Sequence, residues 1–182
     1  MMTGRERVRE ALEHRPTDRL AIDFGGMRST GIHVVPYDGL RRHLGLSGSG
    51  FRLYDVFQQL AEPEPALLER MGGDVVQAHR LHPAFGIRID RWREDTLYGG
   101  IRCQVPEGYR PEPDGQGGQV IRKDGKPLAR MPSGGYYFDL AEYPLADADS
   151  LDAVLSQPPE DVTEEELDFL EAEVRGLYDG TD

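Results

Sequence analysis

Arg28 follows a short apolar run, Leu20-Ala21-Ile22, and a break at Gly25-Gly26, with a further glycine at Gly31. A strand, a glycine turn and a positive charge together offer a cation to an anionic ligand, because in parallel α/β folds the binding groups stand beyond the carboxyl ends of strands. A guanidinium matches a carboxylate with two parallel hydrogen bonds. Taken without its neighbours, an arginine after a turn is equally an ordinary surface residue. His33 either titrates near neutral pH and donates to an anion, or is a hydrogen-bonded structural histidine. His79 and Arg80 put two more donors at the end of a second apolar run, residues 74–78.

Other chemistries find less support. His79 and His82 are three apart, and such residues face opposite sides of a strand, so no metal site is assigned to them. Cys103, the single cysteine, stands between Ile101-Arg102 and Gln104-Val105 in an alternating run and reads as a buried structural thiol. The glycine-rich stretches lack the Lys-Ser/Thr ending of a nucleotide loop, and no Ser-His-Asp set is certified by spacing. The acidic run over residues 160–173 reads as a solvated helix face.

The elements that position these residues begin with Thr3 and Glu6, a capping box that starts a helix carrying Val8, Ala11 and Leu12, stopped by Pro16. Residues 20–24 read as a strand. Pro36 opens a helix to Leu44 with Tyr37, Leu40 and Leu44 on one face, closed by Gly45. Residues 47–50 read as a loop, 53–61 as a short helix grouping Val56, Phe57 and Leu60, 65–71 as another helix, and 74–78 as the next strand. From residue 85 to 140 the pattern changes to short alternating runs separated by turns. Among these turns Asp124-Gly125 is a strong hairpin signal, so this stretch is an antiparallel β-rich excursion. Asp149 or Ser150 caps a short helix, Pro158-Pro159 breaks the chain, and Thr163 with Glu166 forms a second capping box. The last helix carries Leu167, Leu170, Val174 and Leu177 as its apolar stripe.

The 182 residues, 30% of them charged, suit a globular domain with a sizeable core. A net charge of −12 disfavours nucleic acid and anionic membranes as partners. No apolar run approaches the roughly 18 residues of a membrane span, and the charged N-terminus lacks the apolar core of a signal peptide. The compartment read from this is cytoplasmic.

The opening, from Thr3-Gly4-Arg5-Glu6 through His14-Arg15-Pro16-Thr17-Asp18-Arg19 to Gly25-Gly26, resembles the N-terminal part of the uroporphyrinogen decarboxylase superfamily, which also contains corrinoid-linked methyltransferases. Met27, Arg28, Gly31 and Tyr37 keep the spacing of the decarboxylase motif Met-Arg-Gln-Ala-Gly-Arg-Tyr-x-Pro-x-Tyr. The resemblance implies a (β/α)₈ barrel. Such a barrel takes at least ~200 residues, so the chain reads as the N-terminal part of one: a partial, truncated TIM barrel over residues 1–182, with 85–140 as a β-rich insertion. It implies that Arg28 holds a substrate carboxylate. His33 stands at an aromatic position of the motif. Tyr37 matches its final tyrosine, and it also lies on the apolar face of its helix.

Two departures bear on the substrate. The second arginine of the motif is Ile32, and the position of the decarboxylase's catalytic aspartate is held by Arg80 or Leu81. Both turn the reading away from uroporphyrinogen itself, and no catalytic residue is assigned. The implied function is cofactor-free decarboxylation of a carboxylate-bearing, porphyrinogen-like substrate, with Arg28, His33, Tyr37, His79 and Arg80 around it. One alternative is a corrinoid- or thiol-linked methyltransferase, whose zinc and corrinoid would engage a further half of the protein. Another is a catalytically inert fragment or interaction module. The expected partner is a small anionic molecule, and the open edge of a half barrel favours a homodimer.

Overall fold

Thr3 starts the first helix as expected: its hydroxyl accepts from Glu6 N–H at 3.2 Å while the Glu6 carboxylate accepts from Thr3 N–H at 2.9 Å. The computed structural model describes residues 1–46, 50–143, 145–156 and 162–181. Helix α1 (Gly4–Leu12) leads through an extended stretch and one 3₁₀ turn (Arg28–Thr30) into strand β1 (Ile32–His33) and helix α2 (Val34–His43). Strands β2 (Leu53–Asp55) and β3 (Leu60–Ala61) precede helix α3 (Pro65–Met71). Then come β4 (Trp92–Leu97), β5 (Ile101–Pro106), β6 (Glu112–Pro113), β7 (Gln119–Lys123), β8 (Lys126–Met131) and β9 (Asp139–Leu140). Helices α4 (Leu151–Leu155) and α5 (Glu164–Gly180) finish the chain.

The result is a mixed α/β fold with three small antiparallel sheets, in the orders β1-β3-β2, β4-β5 and β6-β7-β8-β9; the described residues form no closed barrel. The hairpin expected at Asp124-Gly125 joins β7 to β8. Both residues have positive φ, 52° and 79°, the backbone that a two-residue turn between twisted strands requires. The β-rich stretch does not stand apart. Gln104 N–H donates to Phe51 O at 2.8 Å, and Cys103 and Val105 share one core with Val34, Tyr37, Phe51, Leu53 and Phe138. Gly50 allows this approach, since a Cβ there would lie 2.9 Å from Arg102 O.

Three expectations are corrected. Residues 53–61 form no helix but the short pair β2–β3. Every residue from Leu53 to Val56 is buried, so no polar face remains to give a helical period. The reversal is instead made by Asp55, whose Oδ1 accepts from the N–H groups of Phe57 and Gln58 at 2.8 and 3.0 Å. Residues 20–24 and 74–78 are extended but form no ladder. Asp74 N–H donates to Ile22 O at 2.8 Å, but Ile22 N–H turns to the Asp74 carboxylate (2.9 Å), so a side chain takes the place of the next backbone bond. The second capping box is half made. Thr163 accepts from Glu166 N–H at 3.2 Å, but the Glu166 side chain leaves the helix for the 80–82 segment, so this acid is buried, not solvated.

The helix expected from Pro36 starts two residues earlier, with His33 as its cap, and Gly45 closes it with φ 68°. Helix α3 ends on Gly72 in the left-handed conformation. The apolar stripe of α5 is largely uncovered, Leu167 and Val174 being about half exposed. The expected loop residues 47–49 and the Pro158-Pro159 break lie outside the described residues. Among the described residues no helix is long and apolar enough to cross a membrane.

Candidate functional site

Asp23 shapes the turn that delivers Arg28. Its Oδ1 accepts from Gly26 N–H at 2.7 Å and from the Thr30 hydroxyl at 2.9 Å, bracketing the arginine from both sides. Gly25 has φ 82°, which a larger residue rarely adopts. The guanidinium that emerges makes an ion pair with Asp55, Nε to Oδ2 at 2.5 Å, and donates through Nη2 to Pro83 O. Asp55 is fully buried, and its Oδ2 is in ionic contact without the alignment of a hydrogen bond. Arg28 keeps 40% of its side chain exposed. It therefore ties together the two segments that follow the extended runs 20–24 and 74–78.

A second polar group lies beside that pair. The Tyr54 and His79 rings are 4.5 Å apart, and His79 Nε2 stands 3.9 Å from the Glu62 carboxylate, which faces Arg52 at 3.6 Å. Burial, with Arg52 nearby, pushes the His79 imidazole down to about 4, so it is neutral at pH 7. Burial raises the Glu62 carboxyl above its ordinary range and, with the Asp55 charge adding to it, the Tyr54 hydroxyl as well. Tyr54 Oη and His79 Nδ1 are buried with no hydrogen-bond partner among the described residues.

The remaining expected residues have other partners. Tyr37 is fully buried; its hydroxyl accepts from Glu64 N–H at 2.8 Å and donates to the Glu64 carboxylate at 3.2 Å. It stands in the core against Phe51. Arg80 donates to Glu166 at 3.1 Å, and His82 meets the other oxygen of the same carboxylate at 3.0 Å. Arg80 and His82 thus serve the seat of α5, while His79 faces Tyr54. Cys103 is buried, which pushes its thiol up to about 12. Asp74 is held by Arg7 at 2.5 Å and Arg19 at 2.7 Å.

His33 is set apart from the Arg28 group. Its Nδ1 accepts from Val35 N–H at 3.1 Å, capping α2, so the proton sits on Nε2, which donates to Tyr136 O at 2.8 Å. Burial lowers its basicity further. It lines a cavity of roughly 740 Å³ walled by Val35, Pro36, Phe57, Gln58, Leu60, Tyr136, Tyr137 and Asp139. Asp55 connects the two places, since the turn it holds carries Phe57 and Gln58 into the cavity wall.

Sequence reasoning found Arg28 and His33 but not Asp55, Tyr54 or the tyrosine pair at 136–137 as their neighbours. Asp55 carried one usable signal, an aspartate two and three residues before backbone amides that a turn leaves unpaired. Comparison with protein families, with curated proteins and with solved structures finds no match to this chain.

Proposed function

We propose that this chain carries the carboxylate anchor of a uroporphyrinogen decarboxylase-like enzyme. In this reading the extended runs 20–24 and 74–78 stand in the place of the first two strands of a (β/α)₈-type barrel without forming their ladder, and Arg28 holds one carboxylate of a small, porphyrinogen-like substrate in the cytoplasm. The observation that carries it is the position of the Arg28 guanidinium. It bridges to Asp55 and to Pro83 O just past the ends of two extended runs joined by the Asp74–Ile22 hydrogen bond. Ligands of parallel α/β folds bind there, and the exposed part of the guanidinium retains donors for a carboxylate.

Asp55 supports the same reading. The acid that Arg80 and Leu81 do not supply stands beside Arg28 instead. Buried against Arg28, it fixes the guanidinium in the orientation that meets a substrate carboxylate. Solvent protonates a pyrrole ring carbon; the C–C bond to the carboxylate breaks, its electron pair passes to the ring and carbon dioxide leaves; a proton from water then adds to the side-chain carbon and the ring proton returns to solvent. Arg28 is the substrate-binding residue and Asp55 the positioning residue. Tyr37 and Arg80 have no part in the reading, because one is sealed in the core and the other is engaged by Glu166.

The test has two arms. Binding of a polycarboxylate porphyrin is followed by its visible absorbance, and Arg28→Ala should weaken it at least about tenfold, with Arg28→Lys between. Turnover is followed as carbon dioxide released from a porphyrinogen bearing acetate side chains. Binding unaffected by Arg28→Ala removes the anchor; binding that depends on Arg28 with no release of carbon dioxide keeps the anchor and removes decarboxylation.

A further inference from the structure

The cavity beside His33 is not used by the Arg28 reading, and its chemistry has the opposite sign. Aromatic rings dominate its walls: Phe57, Tyr136, Tyr137 and the edge of His33. The Tyr136 ring is braced, stacked on Tyr98 at 6.3 Å and set edge-on to His33 at 5.5 Å. Its backbone is held by hydrogen bonds from His33 and Tyr98 to the Tyr136 carbonyl. The one ionised group in the lining is Asp139. This exposed carboxylate makes no ion pair among the described residues; Arg130 of β8 is its cross-strand neighbour in the β8–β9 pair but does not line the cavity. His33 adds no positive charge, because its Nδ1 is an acceptor toward Val35 N–H and only Nε2 carries a proton.

Aromatic faces present negative charge, and with a single carboxylate at the rim they attract a cation with an apolar body. An open cavity of roughly 740 Å³ has room for such a ligand. The net charge of −12 favours its approach. We propose that this cavity is a binding site for a small organic cation of the quaternary or tertiary ammonium class, its charge between Asp139 and the Tyr136 and Tyr137 rings and its apolar part against Phe57 and Leu60. The Arg28 guanidinium lies outside the cavity lining, and the two places share only Asp55, which pairs with Arg28 and holds the turn of Phe57 and Gln58.

The experiment is calorimetric titration of the intact chain with benzyltrimethylammonium, with benzyl alcohol as a neutral aromatic probe and with benzoate as an anionic one. The expected result is that the cation binds at least about tenfold tighter than either of the others. Asp139→Asn should remove most of that preference and Asp139→Glu should keep it. Tyr137→Leu should weaken the cation several-fold while leaving benzyl alcohol unchanged. Asp139 and Tyr137 are exposed, so the variants should melt with the wild type. Equal binding of the cation and the alcohol, tighter binding of benzoate, or a preference that survives Asp139→Asn would each overturn the proposal.

Discussion

Glu166 Oε1, on the first turn of α5, accepts a hydrogen bond from Leu81 N–H at 3.0 Å. The same carboxylate takes Arg80 Nε at 3.1 Å and meets His82 Nδ1 at 3.0 Å, and it is only 3% exposed. An acid that the local pattern assigns to its own helix cap instead seats that helix on a distant segment. These hydrogen bonds hold its carboxyl below the usual range against the opposing effect of burial.

Replacing Glu166 therefore separates helix formation from helix docking. Glu166→Ala leaves Leu81 N–H and His82 without their acceptor and should cost about 2–3 kcal/mol. Glu166→Gln keeps one acceptor and should cost about 1 kcal/mol. Hydrogen exchange localises the effect: in Glu166→Ala the α5 amides should exchange faster while those of β7 and β8 stay as in the wild type. Protection of α5 equal to the wild type would show that its remaining contacts suffice to hold it.

The Arg28–Asp55 pair is tested by a double-mutant cycle. Asp55 is fully buried, so Arg28→Ala strands a charge that has no other cation in contact with it among the described residues. Breaking a buried pair from one side typically costs about 3–5 kcal/mol. Since Arg28 is 40% exposed, about 2 kcal/mol is expected here. Asp55→Asn preserves an oxygen for Phe57 and Gln58 N–H and should be milder. The double variant should be more stable than the sum of the two losses predicts, by roughly 1 kcal/mol. Additive losses in urea denaturation would mean that the pair is not coupled in solution.

How far the sequence reveals this molecule depends on the range of the interaction. The Thr3 cap, the Asp124-Gly125 turn and helix α3 rest on neighbours within a few residues, and each is found where its pattern puts it. Residues 53–61 misled because Leu53 to Val56 are all buried, which erases the alternation that distinguishes strand from helix. Strands at 20–24 and 74–78 were legible as extended chain, but whether extended chain becomes a ladder depends on Asp74, whose carboxylate competes for Ile22 N–H. Arg28 stood out through its glycines, whereas Asp55 and Pro83, its partners, are distant in sequence and carried no mark of the contact. His33 reads either as a titrating group or as a hydrogen-bonded structural histidine, and its particular service as a cap for α2 depends on a short local geometry that histidine seldom provides.

His79 gives the fold a dependence on pH. Its basicity is depressed from an ordinary 6.5 to about 4, so the unfolded chain takes up a proton in a range where the folded chain does not. Stability from this group is complete above about pH 6.5 and declines as pH falls toward 4, by about 3 kcal/mol over the window. Glu62 and Arg52 face the imidazole, and the Tyr54 ring lies against it. The raised carboxyl of Glu62 works in the opposite direction, since the folded state takes up its proton first as pH falls. His79→Phe keeps a ring against Tyr54 and has no proton to bind. Urea midpoints measured from pH 7 to pH 4.5 should fall more steeply in the wild type than in this variant; parallel slopes would mean that His79 titrates normally in the folded chain.

Asp74 closes the N-terminal segment onto the chain after α3. Its carboxylate, 2% exposed, contacts Arg7 at 2.5 Å and Arg19 at 2.7 Å and accepts from Ile22 N–H at 2.9 Å. Arg7 is itself 3% exposed and also pairs with Asp18 at 2.7 Å. Removing Asp74 therefore leaves one buried guanidinium with a single acid and Ile22 N–H with none. Asp74→Ala should cost about 3 kcal/mol, which for a chain of this size lowers the melting temperature by roughly 6–12 °C. Asp74→Asn can still accept from Ile22 N–H and should fall between. Because the Arg7, Arg19 and Asp18 charges remain, raising the salt concentration should narrow the gap between Asp74→Ala and the wild type only slightly, buried pairs being weakly screened. A gap that closes by about 0.5 M salt would instead mean that Asp74 acts as an ordinary surface charge.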